Sequence, residues 1–247
     1  MSRMKFMNTE IDNLTMQETL QAVDSLISEN KSAYVVTPNV DHIVKLETDQ
    51  ELQAAYANAS LILTDGKPLL WIAKWYGTPI KEKISGSDLF PLLCDMAAQK
   101  GYRMFFLGAA EGVAAKAAQS LSERYTGLQV VGTYSPPFGF EKDSVEMDKI
   151  KAMIQEAKPD ILIVGLGCPK QEKFLYHHCQ ELCVPVSFGL GASFDFEAGN
   201  VKRAPKWMAN HGLEWLFRIT QDPKRMAKRY LVDDRKIVGL ALKYRKR

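Results

Sequence analysis

Asp65 is the carboxylate best placed to do chemistry. It closes the apolar run Leu61-Ile-Leu-Thr64 and precedes Gly66. A carboxylate at a strand end can take a proton from an attacking hydroxyl as a general base. An aspartate that only caps the next helix looks the same in sequence, so position alone leaves both roles open. Thr37 and Asn39 flank Pro38, whose fixed backbone leaves two short polar side chains suited to a hydroxyl-rich ligand. His42, four residues beyond Pro38, reads as a surface or internally satisfied histidine.

Three further groups could hold a ligand. Gly108-Ala-Ala-Glu-Gly112 can bring backbone N–H groups and a helix N-terminus to a phosphate. Glu111 would repel one, however, and the full Gly-x-Gly-x-x-Gly arrangement is missing. Gly165-Leu-Gly-Cys-Pro-Lys-Gln-Glu172 is more distinctive, because its glycines admit a ligand while Lys170 and Gln171 offer a charge and an amide at a helix start. Asp195 suits hydrogen bonds from a ribose or sugar hydroxyl. Asp195-Phe-Glu197 is only half of an Asp-x-Asp metal pair, and no metal is inferred from it.

The 247 residues carry a net charge of +3, which conceals a split. Gly199 to Arg247 holds 14 Lys/Arg against 4 Asp/Glu, whereas residues 1–198 hold 18 against 25. Trp207, Trp215, Phe217 and Tyr230 are interleaved with Arg203, Arg218, Arg225, Lys228 and Arg229. A solvated helical face has such lysines and arginines too. Clustering with aromatics points instead to an anionic partner, such as a membrane surface met at about 1 kcal/mol per basic residue.

These groups need elements to position them. Ala33–Thr37, Leu61–Thr64, Arg103–Leu107, Leu128–Val131, Ile161–Val164 and Val184–Phe188 read as buried strands. Helical spacing falls between them, as in Glu111–Tyr125 and Ser144–Lys158. The alternation predicts an α/β, Rossmann-like parallel sheet with helices on both faces. Ligands of such sheets bind beyond the carboxyl ends of the strands, where Asp65 and the other candidates fall. Beyond Arg203 the strand pattern stops. Short helices are expected at Ala204–Met208, after Gly212, from Pro223 and after Asp233-Asp234. Residues 1–198 thus read as a catalytic body and 199–247 as a basic amphipathic appendage.

Composition narrows the classes. With 46% apolar and 25% charged residues, the chain is an ordinary globular protein. No apolar stretch follows Met1-Ser-Arg-Met-Lys5 to suggest a secretory signal, and no charge-free run reaches the ~20 apolar residues of a membrane span. Cys179 and Cys183 beside His177-His178 lack the second ligand pair of a structural zinc site. Cys94, Cys168, Cys179 and Cys183 therefore read as reduced thiols in a cytoplasmic protein. No Walker-type loop is present, which argues against an ordinary nucleotide hydrolase.

Thr37-Pro-Asn39, Thr64-Asp-Gly66, Ser85-Gly-Ser-Asp88, Gly165–Glu172, Gly191-Ala-Ser-Phe-Asp-Phe196, Arg203-Ala-Pro-Lys-Trp207 and Gly212-Leu-Glu-Trp-Leu-Phe-Arg218 occur in that order. As a set they resemble the WecG/TagA/CpsF family of bacterial glycosyltransferases, over about residues 33 to 235. The resemblance implies transfer of a hexose from a UDP-sugar to a sugar on undecaprenyl diphosphate, in teichoic acid, common-antigen or exopolysaccharide synthesis. It implies a single inverting displacement with no metal and no cofactor, on the inner face of the plasma membrane.

Residue by residue, Asp65 matches the family's base, and Thr37, Asn39 and Gln171 its polar sugar-site residues. Asp195 matches a nucleotide contact. Arg218 and Arg225 match basic residues of an appendage that closes over the site, with Lys228 or Arg229 completing the set. Gly108 and Arg203 complete the expected substrate contacts. Lys83 stands where the family often has arginine, which puts a bidentate phosphate grip there in doubt. The run Thr133–Glu141 is more like polysaccharide-cluster members. N-acetylmannosamine is the implied donor sugar, with glucose, glucuronate and N-acetylmannosaminuronate as alternatives, and a homo-oligomer is left open.

Two rivals come from other classes. A nucleic-acid-binding protein would use the basic tail on phosphates and show strongly salt-dependent binding without UDP binding. A dinucleotide-dependent oxidoreductase would need the glycine fingerprint that is missing.

Overall fold

Apolar runs with no polar interruption form strands that need cover on both faces, and Ile161–Gly165 (β7) shows why. Ile161 and Ile163 face one hydrophobic cluster, while Leu162 and Val164 face another. The same alternation splits Ala33–Val36 (β3), Leu61–Ile62 (β4) and Arg103–Gly108 (β5) between the two clusters. In the computed structural model, which describes residues 3–205, 207–208 and 211–245 with the side chain of Arg225 left aside, these strands join one sheet. With Gln129–Tyr134 (β6) and Val186–Gly189 (β8) the order is β4-β3-β8-β7-β5-β6, parallel throughout. The Rossmann-like α/β expectation holds.

A hairpin not foreseen from the sequence, Arg3–Phe6 (β1) with Thr9–Asp12 (β2), flanks β4. Buried Asp12 holds it there, pairing with Arg3 at 2.9 Å and accepting from the Ile62 amide at 2.9 Å.

One cluster packs beneath Met16–Glu29 (α1), Gly86–Lys100 (α5), Val113–Arg124 (α6) and Ser193–Glu197 (α9). The other packs beneath Val40–Lys45 (α2), Gln50–Ala57 (α3), Lys67–Trp75 (α4), Ser144–Ala157 (α7) and Lys170–Leu182 (α8). Local signals start these helices. Thr15 and Glu18 form a capping box on α1, and Asn39 caps α2 by accepting from the Asp41 amide.

The C-terminal segment continues as Glu214–Gln221 (α10), Pro223–Lys228 (α11), a π-helical turn at Arg229–Asp233 and Lys236–Arg245 (α12). Of the helix expected at Ala204–Met208, Trp207 and Met208 are helical, Ala204 and Pro205 are not, and Lys206 lies outside the described residues. The last helix is clipped to the body, where Tyr76 Oη donates to the Ala241 carbonyl at 2.6 Å and Lys243 pairs with Glu47 at 2.9 Å. No helix among the described residues is long and apolar enough to cross a membrane.

Candidate active site

The carboxyl ends of the sheet open into a cleft of about 1170 Å³. Thr37 and Asn39 enter it from β3, Asp65 from β4, Gly165–Cys168 from β7 and Gly189–Ser193 from β8. Asp195 and Phe196 of α9 line it too, as do Arg218, Lys228 and Arg229 of the C-terminal segment. Residues more than 100 positions apart thus meet where a parallel sheet binds its ligands.

Asp65 sits beyond the last residue of β4, fixed by its own amide, which donates to the Pro38 carbonyl at 2.8 Å. Backbone of the Thr37–Asn39 loop therefore holds the carboxylate in register with Thr37 and Asn39. Burial raises its pKa to about 6, opposed by the charges of Arg218, Lys83 and His42 and reinforced by Glu214. A carboxyl tuned toward neutrality is a better base than an ordinary aspartate, because it holds an abstracted proton more firmly. Among the described residues no side chain or amide hydrogen-bonds the carboxylate.

Asn39 ties three segments together. Its Oδ1 accepts from the Asp41 amide at 3.1 Å, faces His42 Nδ1 at 2.9 Å and accepts from Arg229 Nη2 at 3.2 Å. His42 is buried and internally satisfied, with its Nε2 at 3.2 Å from Glu172 Oε1. Burial disfavours the charged ring, but neighbouring Cys168 and Glu172 outweigh it and push the pKa up to about 10. Glu172 also receives Gln171 Nε2 at 2.8 Å, and the Gly167 amide donates to Gln171 Oε1 at 3.1 Å. The Gly165–Glu172 motif thus buries an ion pair that orients Gln171 at the cleft floor.

Arg218 reaches the cleft with its guanidinium 5.4 Å above the Phe196 ring and bonded to Glu214 at 2.6 Å. Arg229 also lines the cleft, stacked at 5.6 Å on Tyr230, and its buried Nε lies 3.9 Å from Asp234 Oδ2 without a hydrogen bond among the described residues. Two guanidiniums at the mouth of a glycine-lined cleft can stabilise the charge of a departing diphosphate.

Other expected residues fall elsewhere. Lys83 lies outside the cleft lining, pairs with Asp88 at 3.0 Å and lines a smaller adjoining cavity. Arg203 bonds the same Asp88, and these cations with Ser85 hold the Asp88 carboxyl below its usual range despite burial. Gly108 packs behind the wall, where a Cβ would stand 2.5 Å from the Gly165 carbonyl, while Ala109 lines the cleft. The Arg225 side chain is outside the described residues.

Sequence reasoning did not join Asp41, His42 and Cys168, which offer three potential metal-ligand atoms within 4.8 Å of one another. Lys45 bonds Asp41 at 2.7 Å, and both His42 nitrogens face hydrogen-bond partners. The cluster is therefore a closed network rather than an open ligand set.

The profile of the glycosyl transferase WecG/TagA/CpsF family matches residues 4–247. The chain belongs to this family. It is a hexosyltransferase, and its relatives are named more narrowly. An enzyme of Bacillus spizizenii (strain W23), 37% identical over 81% of this chain and 75% of its own length, is named N-acetylglucosaminyldiphosphoundecaprenol N-acetyl-beta-D-mannosaminyltransferase. Proteins of the same name from Bacillus subtilis (strain 168) and Staphylococcus aureus (strain MW2) are 32% and 25% identical. The first covers 81% of this chain and 75% of itself, the second 92% and 88%. The family's glycosyl-transfer chemistry matches a cleft that combines a raised-pKa carboxylate with paired arginines.

Proposed function

We propose that this enzyme transfers an N-acetylmannosaminyl or related hexosyl unit from a UDP-sugar to a sugar carried on a polyprenyl diphosphate, with inversion. The observation that carries this is Asp65, a carboxylate of raised pKa with no hydrogen bond from the described residues, in a cleft that Arg218 and Arg229 also line. The acceptor hydroxyl attacks the anomeric carbon, its proton passes to Asp65, and the anomeric C–O bond breaks with the electron pair leaving on UDP. Arg218 and Arg229 take up the charge that develops on the diphosphate, so transfer in this way needs no divalent ion. Thr37, Asn39 and Gln171 hold the sugar, and Asp195 the nucleotide.

The names of the relatives support N-acetylglucosamine on undecaprenyl diphosphate as the acceptor, and a wall polymer is the product we propose. Residues 1–198 act as the catalytic body and 199–247 as an appendage that brings the site to the inner membrane face. Exposed Trp215, Leu231, Val238 and Leu242 among its basic residues support that role. The test is a panel of UDP-sugars incubated with synthetic polyprenyl-diphosphate-N-acetylglucosamine in EDTA, with products read by mass. Wild type should yield one added hexosamine. Asp65→Asn should lose about 10²- to 10⁴-fold in kcat while retaining UDP affinity. Retained turnover in that variant would reject Asp65 as the base.

A further inference from the structure

A second cavity, of about 320 Å³, adjoins the cleft. Asn39, Asp65, Arg218 and Arg229 line both spaces, so the base stands on the partition between them. The two linings differ in chemistry. The large cleft is floored by glycine backbone and short polar side chains. The second is walled by Pro68, Trp215, Tyr230, Leu231 and Ile237, and its charged lining sets Lys67 and Arg235 beside Glu214 and Asp234. Trp215 and Tyr230 stand edge to face with centroids 6.2 Å apart. Arg229 and Asp234 both line this cavity and form an ion pair, with Nε 3.9 Å from Oδ2, while Arg229 Nε and Asp234 Oδ1 are buried without a hydrogen bond among the described residues. Leu231 continues outward as an exposed apolar side chain, 60% accessible.

An inverting displacement requires the acceptor oxygen to approach the anomeric carbon on the face opposite the leaving diphosphate, with the base on the acceptor's side. A carboxylate shared by two cavities meets that demand if each reactant occupies one. Resting on the transferase function above, we infer that the second cavity is the acceptor site for an amphiphilic sugar diphosphate. It holds the sugar ring against the aromatic wall with its hydroxyl at Asp65, and leads the diphosphate and first isoprene units out past Lys67, Arg235 and Leu231. Its volume is at the small end of the roughly 300–1,000 Å³ of ligand pockets, so it takes one ring and leaves the chain outside. Aromatic faces suit the apolar face of a sugar, and lysine and arginine in the lining suit phosphate.

The experiment uses the full chain and a farnesyl-diphosphate-linked N-acetylglucosamine. Ile237→Trp fills the cavity, and Trp215→Ala removes its aromatic wall. Acceptor binding is measured directly by equilibrium dialysis, UDP binding by titration, and transfer by initial rates. Both variants should weaken acceptor binding at least tenfold, raise its KM to match, and keep the UDP Kd within twofold of wild type. A folded Ile237→Trp that binds the acceptor as tightly as wild type would overturn the inference and mark the cavity as a packing gap. Acceptor binding lost in both variants while wild type transfers from no UDP-sugar would leave the acceptor site standing and sink the donor assignment instead.

Discussion

Arg229 Nη2 donates to Asn39 Oδ1 at 3.2 Å, joining residues 190 positions apart. The π-helical turn is thereby pinned to the cap of α2, and a cationic side chain from the tail becomes part of the cleft wall. A hydrogen bond of this charge-assisted kind contributes about 1.5–3 kcal/mol.

Arg229→Gln and Arg229→Lys should therefore both lower kcat/KM by about 10- to 100-fold, at 1.4 kcal/mol per decade. Lysine keeps the charge but lacks the planar fork that spans Asn39 and the space beside Asp234. Steady-state kinetics on both variants checks this, and wild-type kcat/KM for the lysine variant would refute it.

Asp65 should govern both the acid limb of activity and part of the pH dependence of stability. Protonated Asp65 cannot act as a base, so kcat/KM should fall about tenfold per pH unit below about 6. Its folded pKa lies above the ordinary 3.8. At pH above 6 the folded state bears the cost of a buried charge, and below about 4 both states are protonated and the cost is gone. Asp65→Asn should accordingly stabilise the enzyme by about 1–3 kcal/mol at pH 8 and have little effect at pH 3.5. Thermal unfolding at the two pH values measures it.

His42 and Glu172 make the opposite prediction. The folded His42 pKa is raised to about 10 from the ordinary 6.5. Its stabilising charge is fully present below pH 6.5 and is lost as pH climbs toward 10. Glu172→Gln removes one partner and should cost about 3–5 kcal/mol near pH 6, as for other buried pairs broken on one side. The deficit against wild type should shrink steadily up to pH 10. A deficit independent of pH would show that the ring is neutral in the folded enzyme.

Gly191→Ala should act on binding rather than on folding. A Cβ there would stand 2.8 Å from Gln171 Oε1 and 3.3 Å from the Gly167 backbone. The Gln171 amide must turn away and lose its bond from the Gly167 amide. We expect the donor KM to rise about tenfold, the equivalent of one hydrogen bond of roughly 1–1.5 kcal/mol, with the melting temperature changed by only a few degrees. Unchanged donor KM would remove Gln171 from the sugar site.

The six strands of the sheet were legible in the sequence because each holds a short apolar run set between helical patterns. Thr37, Asn39 and Asp65 were legible as rim residues for the same reason, since a strand end fixes where its next side chains go, whereas Gln171 and Asp195 stand on the helices that follow β7 and β8. The β1–β2 hairpin was not, because two four-residue strands joined at Met7-Asn8 carry too short an alternation to stand out. What holds it is Asp12 reaching the Ile62 amide, a contact across 50 residues that no local pattern encodes. The pairing of His42 with Glu172 spans 130 residues and was hidden likewise. Lys83 and Arg203 converge on Asp88 through tertiary packing, so their neighbourhood could not be read from their spacing.

The amide of Asp65 bonded to the Pro38 carbonyl makes the ends of β3 and β4 a single mechanical unit. Any insertion in either connection would displace proton abstraction and hexose recognition together, so neither can drift independently. Diversification of sugar choice across this enzyme class is therefore expected to concentrate in the loops after β7 and β8, and directed evolution toward a new donor would do best to begin there.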